Sequence, residues 1–213
     1  MIAKKLPPTV FVVDDDESVR SSLRFLLRSA SLESRAFGSA AEFLTAYDPS
    51  QPGCLVLDVR MPGMSGLELQ QELNLRGAII PVIFITGHGD IPMAVEAMQH
   101  GAHHFLQKPF RDEDLIECVR GALAKDAKAR AALEEHRAIR AHLQSLTPRE
   151  REVLVLMASG KPNKVMAHEL GVSQRTVEIH RARVMEKSGA ASLAELVRMV
   201  MDVEPKLAPP NRT

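Results

Sequence analysis

Short apolar runs recur at regular intervals along the first half of the chain, separated by segments with helical spacing. The clear runs cover residues 10–13, 53–57, 81–85 and 105–106, and a weaker one covers 33–37. Such runs are typical of buried strands, and apolar residues three or four positions apart are typical of amphipathic helices. Strands that alternate with helices of about 10 to 15 residues predict a doubly wound α/β domain with a five-stranded parallel sheet.

The pattern becomes purely helical after residue 112 and stays so to the end of the chain. No proline falls between Pro109 and Pro148, which predicts a long helical connector. Its apolar positions do not keep a strict heptad, so the pattern leaves a coiled coil open. Four short helices follow, and the first is predicted to begin at a capping box, Thr147–Glu150. Two of them are joined by three residues that begin with Gly171 and end with the N-cap Ser173, which predicts a helix-turn-helix of the kind that enters the DNA major groove.

We therefore predict an α/β domain over 1–124, a helical linker over 125–142, an all-α four-helix domain over 143–205 and a flexible tail over 206–213. The chain has no net charge, but the first segment carries −5, the linker +2 and the remainder +3. The basic end is the candidate for a polyanionic partner.

Composition excludes several classes of protein. No apolar stretch approaches the roughly 20 residues of a membrane helix, and residues 1–8 lack the apolar centre of a signal peptide. We expect a cytoplasmic protein with no membrane partner. Cys54 and Cys118 stand alone, which argues against zinc fingers and disulfide frameworks. Aromatic residues make up 4% of the chain, too few for the stacking platforms of single-strand binders.

Polar residues directly follow the predicted strands. Asp14 and Asp15 follow the first strand, Asp58 the third, and Thr86 and Lys108 the fourth and fifth. Doubly wound folds place their sites at the carboxyl ends of the strands. Three carboxylates gathered there call for a hard divalent cation such as Mg²⁺. One carboxylate oxygen would remain as a nucleophile toward a phosphoryl group, whose oxygens Lys108 and Thr86 would bind.

Four motifs resemble the receiver domain of bacterial two-component response regulators. They are Val12-Val13-Asp14-Asp15-Asp16, Asp58-Val59-Arg60-Met61-Pro62-Gly63-Met64-Ser65-Gly66, Thr86-Gly87-His88-Gly89-Asp90 and Lys108-Pro109-Phe110. Three further motifs resemble the LuxR-type output domain. They are Leu146-Thr147-Pro148-Arg149-Glu150-Arg151-Glu152-Val153-Leu154, Asn163-Lys164 and Arg175-Thr176-Val177-Glu178-Ile179-His180-Arg181. Together, the receiver-like and LuxR-like parts resemble the NarL/FixJ family, nearest its FixJ branch, over about nine tenths of the chain.

The receiver resemblance implies that Asp58 is the phosphoacceptor. It also implies that Asp15, Asp58 and the Arg60 carbonyl bind Mg²⁺, with Asp14 helping through water. Arg60 and His88 occupy positions that tune phosphoryl lifetime in the family, and their effect here stays open.

The resemblance further implies a switch. Thr86 and Lys108 would bind the phosphoryl group, with Thr86 and Phe105 as the switch residues and Lys108-Pro109 as a cis peptide. Phosphorylation would reshape the surface of the fourth helix and fifth strand for dimerisation. That surface would include Ile91, Val95, His104 and Arg111.

The third helix of the C-terminal domain is the predicted DNA reader. Val177 and Val184, seven residues apart, should face the core. The opposite stripe of the helix carries Arg175, Glu178, Ile179, Ala182 and Glu186. Arg175 is suited to contact a guanine edge, Glu178 a cytosine amino group and Ile179 a thymine methyl. Further predicted DNA contacts, to phosphates or carried over from the motifs, are Asn163, Lys164, Thr176, Arg181, Arg183 and Lys187. Pro162 replaces the Ser or Thr that usually caps the second helix in relatives.

The resemblance implies a DNA-binding transcriptional regulator, by family habit an activator, and not an enzyme. Its partners would be a sensor histidine kinase, double-stranded promoter DNA and, when phosphorylated, a second copy of itself; RNA polymerase is left open as another. Three alternatives compete with this interpretation: a phosphorylation-independent pseudo-receiver, an RNA-binding antiterminator and a phosphatase. The phosphatase would need a second acid where Arg60 stands. His100, His103 and His104 are spaced loosely like metal ligands, but no further ligand completes a set.

Overall fold

The computed structural model describes residues 6–87 and 91–204, with the exception of the Ile91 side chain. Contacts divide the chain into two compact units, Met1–Arg130 and Ala131–Thr213. The predicted tail at 206–213 and the position of His88 lie outside the described residues.

The first unit is built on a parallel sheet in the order β2-β1-β3-β4-β5. Its strands are β1 (Thr9–Val13), β2 (Ser34–Phe37), β3 (Gly53–Asp58), β4 (Val82–Thr86) and β5 (His104–Gln107). Its helices are α1 (Glu17–Ser29), α2 (Ala40–Ala46), α3 (Gly66–Leu75), α4 (Ile91–Gln99) and the part of α5 (Asp112–Gln144) up to Arg130. This confirms the predicted doubly wound fold, with strand ends that differ from the predicted runs by at most one residue.

Every residue of β1, β3 and β4 is buried. One apolar layer, which includes Phe11 and Phe43, lies on one face of the sheet, and another, which includes Leu27 and Leu115, lies on the other. Burial on both faces explains why these strands read as continuous apolar runs and not as alternating patterns. β3 also begins at a glycine by necessity, because a Cβ on Gly53 would lie 2.0 Å from the Thr9 carbonyl oxygen.

Helix α5 runs without a break from Asp112 to Gln144, and the predicted linker lies inside it. Leu115, Val119 and Ala122 belong to the core of the first unit, whereas Ile139 and Leu143 belong to the core of the second. All eight residues at 131–138 are exposed.

Four further helices form the second unit, as predicted: α6 (Pro148–Ala158), α7 (Asn163–Leu170), α8 (Gln174–Ser188) and α9 (Leu193–Val203). Thr147 and Glu150 form the predicted capping box, and Ser173 accepts a hydrogen bond from the Thr176 N–H. Gly171 ends α7 with φ at 64°, a conformation that favours glycine. No helix within residues 6–87 and 91–204 is long and apolar enough to span a bilayer.

Candidate functional site

The carboxyl edge of the sheet gathers four of the predicted side chains. Asp14 directly follows β1, Asp58 ends β3, Thr86 ends β4 and Lys108 directly follows β5. Asp14 and Thr86 are each 1% exposed and Asp58 is 8% exposed. The Lys108 N–H donates to the Thr86 carbonyl at 2.8 Å, which ties the ends of β4 and β5 together. The predicted cis peptide at Lys108-Pro109 is present.

Lys108 joins the two buried carboxylates. Its Nζ lies 2.9 Å from Oδ2 of Asp14 and 3.1 Å from Oδ1 of Asp58. Burial lowers the pKa of Lys108, but the hydrogen bonds to Asp14 and Asp58 outweigh it, so the pKa is raised. Burial raises the pKa of Asp58 above its usual range, against the opposing hydrogen bond from Lys108. The ammonium group therefore stabilises two carboxylates that would otherwise repel each other.

The loop after β3 holds Asp58 from its other side. The Arg60 N–H donates to Oδ2 of Asp58 at 2.7 Å, and the Gly66 N–H donates to the Val59 carbonyl at 2.9 Å. A Cβ on Gly66 would lie 2.2 Å from the Asp58 carbonyl oxygen. The Gly66 position thus lets α3 begin directly against the phosphoacceptor candidate.

Arg20 is a site residue that the sequence analysis missed. Its Nη1 donates to the Asp14 carbonyl at 2.7 Å, and its Nη2 pairs with Glu17. The Asp14 Oδ1 also accepts the Asp16 N–H at 2.9 Å. These bonds fix the acidic loop between β1 and α1. An arginine in the second turn of a helix carries no sequence signal that its side chain turns back to the preceding loop.

The structure does not draw all three predicted metal-binding carboxylates into one cluster. Asp14 and Asp58 meet at Lys108, while Asp15 is exposed. Within residues 6–87 and 91–204, no three Asp, Glu, His or Cys side chains are grouped as a ready metal site. The set offers hard oxygen donors at one sheet edge, which is the chemistry that Mg²⁺ requires.

The predicted switch and dimer residues lie on neighbouring elements. Phe105 is half-buried on β5, with its ring centroid 6.3 Å from that of Phe84 on β4. Val95 on α4 is 47% exposed, and His104 on β5 and Arg111 are also exposed. The side chain of Ile91 lies outside what the structure describes.

Helix α8 has the two predicted faces. Val177 and Val184 are fully buried, while Arg175 and Glu178 are exposed and Ile179 is 48% exposed. The stripe suited to base edges is therefore open. Ala182, Arg183 and Glu186 are exposed as well.

Two predicted phosphate contacts also have partners within the second unit. Arg181 Nη1 donates to Oδ1 of Asn163 at 2.9 Å, and Lys187 Nζ donates to Oε2 of Glu150 at 2.7 Å. These bonds give Arg181 and Lys187 structural roles besides any contact with DNA. Pro162 makes no side-chain cap for α7, as its chemistry requires.

Comparison with known proteins agrees with this geometry. Residues 10–120 match the response regulator receiver domain, and residues 144–200 match the bacterial regulatory proteins of the luxR family. The chain is 51% identical to the transcriptional regulatory protein FixJ of Azorhizobium caulinodans over 192 residues, which cover 90% of this chain and 91% of that protein. It is 52% identical to nodulation protein W of Bradyrhizobium diazoefficiens over 190 residues, with coverage of 89% and 84%.

Solved structures agree as well. The response regulator StyR is 50% identical with a TM-score of 0.84, and the match covers 91% of this chain and 98% of that one. Full-length FixJ from B. japonicum is 42% identical with a TM-score of 0.57, with coverage of 93% and 98%.

A parallel sheet with buried carboxylates and a lysine at its carboxyl edge, followed by a capped helix-turn-helix, defines a response regulator. The chain belongs to the FixJ-type response regulators, with a receiver domain and a LuxR-type DNA-binding domain. It acts in phosphorylation-dependent regulation of transcription and, like its relatives, is not an enzyme. No comparison supports the pseudo-receiver alternative.

Proposed function

We propose that Asp58 accepts a phosphoryl group from the phosphohistidine of a sensor histidine kinase. The observation that carries this proposal is the contact of one ammonium group, that of Lys108, with both Asp14 and Asp58. A carboxylate oxygen of Asp58 would bond to phosphorus while the bond from phosphorus to the histidine nitrogen breaks. Lys108 and the Thr86 hydroxyl would bind the transferred phosphoryl oxygens.

We propose Asp14, Asp15, Asp58 and the Arg60 carbonyl as the residues that hold Mg²⁺. All are oxygen donors, and Asp15, next to Asp14 in the chain, is open to solvent. When bound, the ion neutralises part of the negative charge of the phosphoryl group. The contribution of the chain is the position of its carboxylates, which the bonds from Arg20 and Lys108 hold in place.

A phosphoryl group on Asp58 would carry a charge of about −1.5 to −2 beside Thr86 and Lys108, in place of the single charge of the carboxylate. We propose that this shifts Thr86 and Phe105 and alters the surface of α4 and β5, so that two copies of the chain associate there. Ile91, Val95, His104 and Arg111 are the residues proposed for that contact. Two helix-turn-helix units would then read a site with two-fold symmetry, since dimers bind two half-sites.

The DNA reader is proposed to be α8. The exposed Arg175, Glu178 and Ile179 would contact base edges, and the exposed Lys164 and Arg183 would contact phosphates. Asn163, Thr176, Arg181 and Lys187 complete the proposed interface. We place the protein in the cytoplasm, where bacterial promoter DNA lies, and propose RNA polymerase as a further partner. The proposed domain bounds remain 1–124, 125–142 and 143–205.

Intact mass of the chain after incubation with a small acyl phosphate and Mg²⁺ tests the proposal. Wild type should gain one phosphoryl group, and Asp58→Asn should gain none. Asp48→Asn is the matched control, because Asp48 is exposed and its carboxylate accepts hydrogen bonds from Ser50 in its own turn. Uptake by Asp58→Asn at the wild-type level would contradict the proposal.

Light scattering with Mg²⁺ and beryllofluoride, a mimic of the phosphoryl group, tests the dimer. A shift from monomer to dimer in wild type, absent in Asp58→Asn, is expected. A molar mass that does not respond would contradict phosphorylation-driven assembly.

A further inference from the structure

Two charged residues of α5 form an ion pair far from the phosphoacceptor. Nε of Arg130 lies 3.0 Å from Oδ1 and 2.9 Å from Oδ2 of Asp126. Asp126 is 1% exposed and the Arg130 side chain is 19% exposed. A pair four residues apart on an exposed helix is ordinarily a weak surface contact. Burial of this carboxylate shows that the pair has a further role.

The pair binds the chain segment that leads into β3. Oδ2 of Asp126 accepts the Gly53 N–H at 3.0 Å. The Arg130 guanidinium donates to three successive carbonyls, those of Pro49 at 2.9 Å, Ser50 at 3.2 Å and Gln51 at 2.9 Å. We call Asp126, Arg130 and these four backbone groups the α5 clamp.

The clamp contacts a tightly packed part of the sheet. Gly53 is buried and packs so closely on Thr9 that no Cβ fits there. β3 begins at this residue and ends at Asp58. The strand that carries the phosphoacceptor candidate at one end therefore holds α5 at the other.

Among residues 6–87 and 91–130, few apolar side chains hold this part of α5 to the first unit. Ala122 is its last fully apolar core residue, and Leu123 is half-buried. The residues at 124, 125, 127 and 128 are exposed, and so is the whole stretch 131–138. The polar contacts of Asp126 and Arg130 therefore hold this part of α5 to the segment that leads into β3.

We infer that the α5 clamp makes the helix, as far as Arg130, one body with the receiver, and that Asp126 and Arg130 thereby transmit the state of the receiver to the rest of α5. This inference rests on the proposed function, in which phosphorylation controls DNA binding. Coupling between two sites needs a physical element that both sites bias. The clamp ties α5 to the start of the strand that ends at Asp58, and the same helix continues past Arg130 to Gln144.

The test is the ratio of DNA affinities measured with and without Mg²⁺ and beryllofluoride on the full chain. The duplex is selected from a random pool with the activated wild type. The first variant, Asp126→Asn with Arg130→Met, removes both charges together and leaves no unpaired buried ion. The second, Arg130→Lys, keeps the ion pair but cannot reach three carbonyls. Arg137→Met is the control, since Arg137 is an exposed arginine of the same helix.

The double variant should bring the ratio down by about fivefold or more, toward one, and Arg130→Lys should lower it less. Beryllofluoride binding to the receiver should be unchanged in both, and Arg137→Met should keep the wild-type ratio. Wild-type ratios in the clamp variants would overturn the inference. If the double variant fails to fold, Arg130→Lys decides alone. If beryllofluoride does not change the DNA affinity of the wild-type chain, that result would instead overturn the proposed function, and with it the role of the clamp.

Discussion

The Nζ atom of Lys187 lies 2.7 Å from Oε2 of Glu150, a carboxylate that is 2% exposed at the start of α6. The same oxygen accepts the Thr147 N–H at 2.8 Å. These bonds, that from Lys187 first, lower the pKa of Glu150 from 4.5 to about 2. The end of the predicted reader helix is thus fixed to the cap of the first helix of its domain.

Glu150→Gln should lower the free energy of unfolding of the C-terminal domain by about 1.5 kcal/mol near neutral pH, because charge-assisted hydrogen bonds lose the ionic part of their energy. The folded state has the lower pKa, so this stabilisation is complete above pH 4.5 and is lost as the pH falls toward about 2. Thermal unfolding of both proteins at several pH values measures it. Glu152→Gln, at a carboxylate with a 53% exposed side chain, should change stability by less than about 0.5 kcal/mol. A difference between wild type and Glu150→Gln that does not shrink in acid would show that charge is not its source.

Lys108→Met should slow phosphoryl uptake from a small acyl phosphate by on the order of 100-fold, because the cation that faces the transferred group is lost. The variant also leaves Asp14 and Asp58 without their shared partner. A gel that retards phosphoproteins follows the time course. Lys128→Met, at an exposed lysine of α5, should match wild type. Equal rates of phosphoryl uptake for Lys108→Met and wild type would show that Lys108 takes no part in phosphoryl transfer.

Gly66→Ala should disturb the loop that carries Asp58. The new Cβ would meet the Asp58 carbonyl oxygen at 2.2 Å, a backbone atom that cannot rotate away. We expect a loss of about 1 to 3 kcal/mol in receiver stability together with slower phosphorylation. Gly38→Ala is the control, since its nearest atoms lie at 3.6 Å, an ordinary contact. Thermal unfolding compares Gly66→Ala with Gly38→Ala. Indistinguishable melting curves for these two variants would show that the predicted clash does not occur.

Arg175→Ala and Lys164→Ala should weaken DNA binding in different ways. Loss of Arg175 should cost about 1 to 3 kcal/mol on the selected duplex and relax the preference for one base pair. Loss of Lys164 should weaken selected and unrelated duplexes equally and reduce the salt slope by about 1. Fluorescence anisotropy at several salt concentrations distinguishes these outcomes. The assignment of roles is wrong if Arg175→Ala leaves base preference intact.

Local features of the sequence predicted most of the fold. The apolar runs located the strands because a strand that is buried on both faces is apolar at every position. The bounds of β1 and β3 match the predicted runs closely. Caps such as Thr147 and Ser173 located helix starts because their chemistry acts within three residues. The positions of Asp58 and Lys108 followed from strand order, since parallel strands end at one edge.

Contacts between distant residues could not be predicted in this way. Arg130 reaches carbonyls about 80 positions earlier in the chain. Lys187 pairs with a residue 37 positions away, so its sequence context indicated only a cation on a predicted DNA face. Arg20 turns back onto the loop before its own helix. In each case the partner is fixed by tertiary packing, which charge and spacing do not encode.

Helix α5 supplies core residues to both domains, since Ala122 lies in one core and Ile139 and Leu143 lie in the other. Genetic exchange of receivers among regulators of this kind is therefore constrained. A crossover inside 131–138 transfers each core whole, because every residue there faces solvent. A crossover upstream of Arg130 would join a helix from one ancestor to the β3 loop of another and demand that both had inherited matching polar groups. Receivers can therefore be exchanged without splitting either core only at a junction within 131–138, which is about two turns of helix.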